Sequence, residues 1–179
     1  MKPLKYSITW SLYRHIAKPI LFQFDPEKVH DSVTTVGKII GTSSILRSLT
    51  KSLFSYQHPM LLQTINGITY KNLIGLSAGF DKDAHLWQIL PNVGFGFAQI
   101  GSVTAKPYEG NPKPRLHRLP NSKGIVVYYG LKNEGIDVII NRIKKYPQSE
   151  IPQSISIAKT NCDTTAKESA GIADYKETL

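Results

Sequence analysis

Apolar residues recur every four positions at the start of the chain, at Leu4, Ile8, Leu12, Ile16 and Ile20. That spacing marks one face of an α-helix. Trp10 and Tyr13 lie near the face, and Lys2, Lys5, Arg14 and Lys18 supply charge around it. Asp25-Pro26 has the form of an N-cap followed by proline at the first helical position, which predicts a second helix running to about residue 40. Gly41-Thr42-Ser43-Ser44 is a break, and a short third helix is expected to about residue 54.

From residue 61 the pattern changes. Two short apolar runs, 61–65 and 68–70, flank Asn66-Gly67, a strong hairpin signal. Residues 73–77 form a nearly continuous apolar run, which predicts a strand buried on both faces. A helix over 84–90 and a strand over 95–103 follow. A second hairpin is expected from 115–119 and 124–129, then a helix over 136–145, a strand over 155–158 and the start of another helix. Strands alternating with helices predict an α/β fold with a parallel sheet. At 179 residues the chain is shorter than the ~250 of a (β/α)8 barrel, so it reads either as a small open α/β domain or as the first part of a barrel.

Composition narrows the partners only a little. The formal net charge of +9 admits nucleic acid, an anionic membrane or an anionic small molecule. Cys162 is the single cysteine, which excludes a disulfide framework and a cysteine-rich metal site and fits a reducing compartment. No run of ~18 apolar residues occurs, the length that a membrane-spanning helix requires. Arg14 and Lys18 interrupt the first apolar run, unlike the pattern of a secretory signal.

The polar and glycine-rich clusters carry more. GFDKD (79–83) closes the first parallel strand, IGSVTAKPYEGNPKPRLHRLP (100–120) the second and SIAKTN (156–161) the third, while YYGLKNEGID (128–137) follows the hairpin. Each lies just after a strand, and parallel α/β folds bind ligands at that carboxyl edge.

GLSAGFDKD (75–83), GSVTAKPYEGNPKPRLHRLP (101–120) and the N-terminal LFQFDPEKVHDSV (21–33) together resemble the dihydroorotate dehydrogenase family, specifically its membrane-associated, quinone-using class. The resemblance covers residues 13–179. It implies the N-terminal part of an FMN-binding (β/α)8 TIM barrel over 56–179, preceded by a helical membrane and quinone-tunnel extension over 1–55. It implies oxidation of dihydroorotate to orotate in pyrimidine (UMP) synthesis, with a membrane quinone as acceptor. By position, Ser77, Ala78, Gly79, Lys82, Gly101, Ser102 and Ser156 would lie against FMN. Lys82, Val127, Tyr128, Tyr129, Gly130 and Leu131 would meet substrate, and His30 and Arg118 would face the quinone tunnel. Small residues suit close approach of backbone to a flat ring, and a lysine suits developing negative charge. The implied location is peripheral on a membrane: the cytoplasmic side of a bacterial inner membrane, or a mitochondrial inner membrane.

The departures fall on the substrate loop. Where the family has Asn-Arg-(Met/Tyr)-Gly-Phe-Asn, this chain has Val127-Tyr128-Tyr129-Gly130-Leu131-Lys132. A valine cannot hydrogen-bond a pyrimidine, and a buried polar edge left unpaired costs ~1–3 kcal/mol. Ser156 replaces a flavin-contacting Asn, and His117 stands where a Phe is usual. The family's catalytic base and FMN-phosphate loops are expected beyond Leu179, so the chain reads as truncated. An FMN barrel with another substrate and a non-catalytic membrane-associated fragment are the alternatives.

Plainer readings stand beside these. Lys82 is also the pattern of a solvated lysine, Ser102 of a turn cap and His30 of a packed helical histidine. Arg115 is a candidate phosphate ligand. His85 and His117 have no metal-ligand spacing with any Asp, Glu or Cys, so no metal is assigned. Tyr128-Tyr129 beside Lys132 is a possible base-stacking platform, with strand packing the plainer reading. No nucleic-acid-binding motif accompanies it, so no nucleic-acid partner is assigned. The first helix either docks its apolar face on the barrel or lies in a membrane interface.

Overall fold

The computed structural model describes residues 4–179; Lys2 and the side chain of Leu4 lie outside the described residues. The helical start is a rod in three pieces: α1 (Leu4–Leu12), a π-helical turn (Tyr13–Ala17) and α2 (Lys18–Leu21). The four-residue stripe therefore runs along a helix with one widened turn. Pro19 offers no N–H to the residue four before it, and Lys18 N–H reaches back five residues to the Tyr13 carbonyl. Ile8, Leu12, Ile16 and Ile20 are all exposed. The second helix, α3 (Pro26–Thr42), starts where the sequence predicts, with the Asp25 carboxylate accepting from Lys28 N at 3.0 Å. The third, α4 (Ser44–Phe54), begins after Ser43, whose hydroxyl caps Leu46 N. Its end receives α1: Lys5 Nζ donates to Ser52 O at 2.6 Å and Tyr6 Oη to Ser55 O at 2.9 Å.

The Asn66-Gly67 hairpin forms between β1 (Gln63–Ile65) and β2 (Ile68–Tyr70). Both turn residues have positive φ, as a two-residue hairpin loop requires. Beyond it, β3 (Gly75–Leu76), β4 (Phe97–Val103) and β7 (Gln153–Ile157) form one parallel sheet in the order β3-β4-β7. The predicted parallel neighbours are thus adjacent, and the fold is α/β. Between them an antiparallel hairpin, β5 (Leu116–Leu119) and β6 (Gly124–Val127), stands apart from the sheet. It ends at Val127, two residues before the predicted limit. Helix α5 (Ile136–Ile143) precedes β7, and α6 (Glu168–Thr178) follows it.

Two sequence expectations are corrected. The run 73–77 is not a strand buried on both faces: Leu73 and Ile74 are 53% and 69% exposed, and only Gly75 and Leu76 pair with β4. Nor is 84–90 an α-helix. Ala84 adopts φ +57°, outside the right-handed helical region, so the segment is a series of turns ending in a 3₁₀ helix over Leu90–Asn92. Its apolar residues still pack: Leu86, Ile89 and Leu90 join Ala98 and Ile151, with Ile40 of α3 against them. A second cluster of Ala84, Ile100, Val103 and Ile139 seats α5 on the sheet. These clusters pack against all three parallel strands, through Leu76 of β3, Ala98, Ile100 and Val103 of β4 and Ile155 of β7.

Candidate functional site

The loop after β3 is tied to β4 through backbone. Gly79 N–H donates to the Gly101 carbonyl at 2.8 Å, and Gly101 N–H donates to the Asp81 carbonyl at 2.9 Å. Both glycines have φ above +100°. At Gly101 a Cβ would stand 2.5 Å from the Ser156 carbonyl oxygen, so only glycine fits between β4 and β7. At Gly79 a Cβ would meet nothing within 4 Å; the backbone there faces open space, as close approach of a flat ligand requires.

The Asp81 side chain fixes the rest of the loop. It is 1% exposed and accepts from the N–H groups of His85 and Leu86, both at 2.9 Å. Burial raises its pKa to about 6, against the opposing effect of those two hydrogen bonds. A carboxyl whose folded pKa lies above its unfolded value stabilises the fold most below the unfolded pKa and loses that contribution as pH rises through the folded one. The stability of the protein relative to Asp81→Asn should therefore fall by about 2–3 kcal/mol between pH 4 and pH 7. Urea unfolding at the two pH values measures this; a constant difference between the proteins would refute it.

Ala78, Gly79, Lys82, Gly101, Ser102 and the whole of 127–132 line one cavity of about 330 Å³. The two families of predicted contacts, flavin and substrate, therefore meet in a single place. Ser77 and Ser156 stand outside that lining. Ser77 is exposed at the end of β3, while Ser156 on β7 shares a 2.8 Å hydrogen bond with the Ser102 hydroxyl. Ser102 thus pairs across two strands rather than capping a turn.

Lys82 is not an ordinary solvated lysine. Its Nζ lies 4.2 Å from the centroid of the Tyr129 ring, and burial pushes its pKa below the usual lysine value; Asp83 opposes the shift and Lys132 adds to it. Tyr129 itself is buried, its hydroxyl has no partner, and burial pushes its pKa up to about 12. Tyr128 is exposed beside it. Neither tyrosine belongs to a strand, which corrects the strand-packing reading.

Arg115 is no phosphate ligand. It is buried beside Tyr129, 4.9 Å from the ring centroid, and grips Glu27 of α3 through Nη2 at 2.7 Å and Nε at 3.2 Å. Its Nη1 donates to the carbonyls of Glu109 and Asn111, each at 2.8 Å. The hydrogen bonds from Arg115 hold the Glu27 carboxyl below its ordinary range, and Glu27 in turn raises Arg115. Sequence reading missed Glu27 because an acid in a first helical turn already has a local explanation.

A second cavity, of about 650 Å³, adjoins the first through Lys82, Tyr129 and Lys132, and His30, Asp31 and Phe80 line its far side. His30 Nε2 donates to the Phe80 carbonyl at 2.7 Å, and Nδ1 lies 3.1 Å from Asp31. Arg118 lies elsewhere: it donates to the carbonyls of Phe24 and Leu21 and covers the Phe22 ring, clamping the connection between α2 and α3. His30 thus fastens α3 to the loop after β3, and Arg118 fastens the α2–α3 connection to the β5–β6 hairpin.

The fold also gathers Asp83, His85 and Glu134, whose ligand atoms lie within 4.8 Å of one another. No spacing in the sequence signals this cluster, and no metal is assigned to it there. Arg142 supplies its positive charge, bonded to the Glu134 carboxylate and the Asp83 carbonyl. Asn133 is another residue that sequence reading passed over. Buried, it bonds Thr104, Gly135 and Leu131 and so sets the path of the 127–135 loop; the Asn-x-Gly turn at 133–135 is its only signal.

Known proteins place this arrangement. Residues 60–179 match the family model for dihydroorotate dehydrogenase. The chain is 41% identical over 137 residues to a dihydroorotate dehydrogenase (quinone) of Christiangramia forsetii, covering 74% of this chain and 39% of that protein. It is 40% identical over 164 residues to one of a Sulfurovum species, covering 90% of this chain and 45% of the relative. A crystal structure of the DHODH of Eimeria tenella in complex with ferulenol superposes with a TM-score of 0.61 at 31% identity, over 75% of this chain and 36% of that one. The chain spans less than half the length of the curated relatives it matches. With residues 60–179 matched and the strand-end motifs gathered at one cavity, the chain belongs to the dihydroorotate dehydrogenase family.

Proposed function

We propose that this chain is the flavin-facing N-terminal portion of a quinone-dependent dihydroorotate dehydrogenase, an oxidoreductase of pyrimidine (UMP) synthesis. The reaction removes two hydrogens from adjacent carbons of dihydroorotate to give orotate, and a membrane quinone takes up two electrons and two protons to become the quinol. In this reading β3, β4 and β7 are the first strands of a (β/α)8 TIM barrel over 56–179, and 1–55 is the quinone and membrane extension. The observation that carries it is the convergence of Ala78, Gly79, Gly101, Ser102 and Lys82 on one cavity beside open space at Gly79.

The residues present fit FMN at its ring. Gly79 lets backbone approach a flat face, Ser102 offers a hydroxyl held by Ser156, and Lys82 stands ready beside developing negative charge. FMN, when bound, accepts the electrons of substrate and passes them on singly or in pairs. Residues for its phosphate are not identified among 1–179. The decisive experiment is anaerobic addition of dihydroorotate to a full-length enzyme carrying this segment. Bleaching of the flavin absorbance is expected, and an unchanged spectrum would defeat the reading.

The extension is proposed to lie on a membrane, at the cytoplasmic face of a bacterial inner membrane or in a mitochondrial inner membrane. Supporting this, Ile8, Leu12, Ile16 and Ile20 are exposed along one rod that also carries Lys5, Arg14 and Lys18. Among the described residues no helix is long and apolar enough to cross a membrane. The full-length enzyme should sediment with anionic vesicles, less so at high salt because charge attraction is screened. Deleting residues 1–22 should abolish sedimentation and lower turnover with a long-chain quinone, while dihydroorotate still bleaches the flavin. Normal sedimentation and quinone turnover after the deletion would show that the rod only packs.

A further inference from the structure

The Lys82 ammonium sits at the end of a flexible side chain, yet the proposed reaction needs it at one place beside the cavity it lines. Asp83, Asp31 and Glu27 favour its charge and Lys132 opposes it, but none of the three acids forms a salt bridge with it among the described residues. Attraction at longer range favours the protonated amine without fixing where it sits. The contact that fixes it is the Tyr129 ring, whose centroid lies 4.2 Å from Nζ.

Tyr129 is itself held. It is buried, its carbonyl accepts from Asn111 N at 3.0 Å, and the N–H of Tyr128 before it donates to the Arg115 carbonyl at 2.7 Å. The Arg115 guanidinium lies 4.9 Å from the same ring and is locked by Glu27 of α3. The Tyr129 hydroxyl has no partner, so hydrogen bonding by the side chain does not account for its place. The ring does, as a surface against which two cations rest.

We infer that Tyr129 is a positioning residue: its ring holds the Lys82 ammonium at the cavity, and Arg115, anchored on Glu27, backs the ring. The inference rests on the proposed reaction and deepens it. Tyr129 acts through Lys82 rather than through a bond of its own to substrate.

Stopped-flow bleaching by dihydroorotate, in a full-length enzyme that carries this segment, gives the first readout. Tyr129→Leu should slow bleaching about tenfold, because the cation is no longer held in place. Tyr129→Phe keeps the ring and should restore the rate to within about threefold of the parent. In a Lys82→Ala background, Tyr129→Leu should cost less than about twofold more, since the group it positions is gone. The second readout is independent of turnover. With ¹³C-labelled lysine, NMR should show the Lys82 Cε protons moved upfield by the ring current in the parent and in Tyr129→Phe, and returned downfield in Tyr129→Leu. Lys82→Ala identifies that signal by its loss. A Tyr129→Leu rate within about twofold of the parent, or a loss of about tenfold that recurs in the Lys82→Ala background, would overturn the inference. So would a Tyr129→Phe enzyme as slow as Tyr129→Leu, or a Lys82 signal that Tyr129→Leu leaves in place. A parent flavin that dihydroorotate leaves unbleached would defeat the oxidoreductase reading, and the Lys82 signal would still decide whether Tyr129 holds the amine.

Discussion

Lys82→Ala slows the bleaching of flavin by dihydroorotate about 100-fold in a full-length enzyme that carries this segment. The expectation follows from where the ammonium sits. It is half-buried, lies over the Tyr129 ring, and lines the same cavity as Gly79 and Gly101. Negative charge that develops in that cavity has this cation as a fixed, preorganised partner. Removing one such partner from a water-poor site costs ~10²–10³ in rate. Stopped-flow absorbance separates the effect from slower quinone steps. The pH profile is a second check. Because burial lowers the Lys82 pKa, its charge is lost at a pH below that of a free lysine, and the rate should fall there as pH rises. A rate in Lys82→Ala within twofold of the parent would remove Lys82 from the chemistry.

Glu27→Ala should destabilise the protein by about 3–5 kcal/mol, because it strands a buried guanidinium. Glu27 and Arg115 side chains are 6% and 4% exposed, and the arginine's carbonyl partners cannot neutralise its charge. Lys113, 3.4 Å from the same carboxylate, is mostly exposed and contributes little. For a domain of this size the loss corresponds to a Tm lower by roughly 10 °C. Glu27→Ala/Arg115→Ala should lose less than the sum of the single changes, since the double variant leaves no unpaired charge. Thermal and urea unfolding of the three variants would decide it. Additive losses, or a single loss under about 1 kcal/mol, would mean that the pair does not act as a unit.

The legible parts of the fold were those specified by neighbours in sequence. Asp25-Pro26 both caps and starts α3, and Asn66-Gly67 both turns and registers its hairpin, so a few residues suffice. The misread parts depend on distant residues. The run at 73–77 looks buried, yet its pairing is limited to Gly75 and Leu76, and what lies over Leu73 and Ile74 is not written in that run. Residues 84–90 have helical spacing, but Asp81 takes the N–H groups of His85 and Leu86 and Ala84 turns left-handed, which breaks the helical path. At the site, the small residues and Lys82 were readable because their types announce backbone approach and charge. The pairing of Ser102 with Ser156 and of Glu27 with Arg115 was not, because the partners are 54 and 88 residues apart and each has an ordinary local explanation.

That last separation has a consequence for the newborn chain. Glu27 leaves the ribosome 88 residues ahead of Arg115. At ~5–20 residues per second, the delay is roughly 4–18 s. For those seconds α3 exists without the ionic lock that later joins it to β5 and the Tyr129 loop. Helix formation takes microseconds or less, so the helical segments can form and melt many times before their counterpart is synthesised, and packing is what then holds them. The order of synthesis therefore leaves the apolar sides of these helices open for seconds before the hairpin can close onto them, and whatever meets those sides in the interval meets them first.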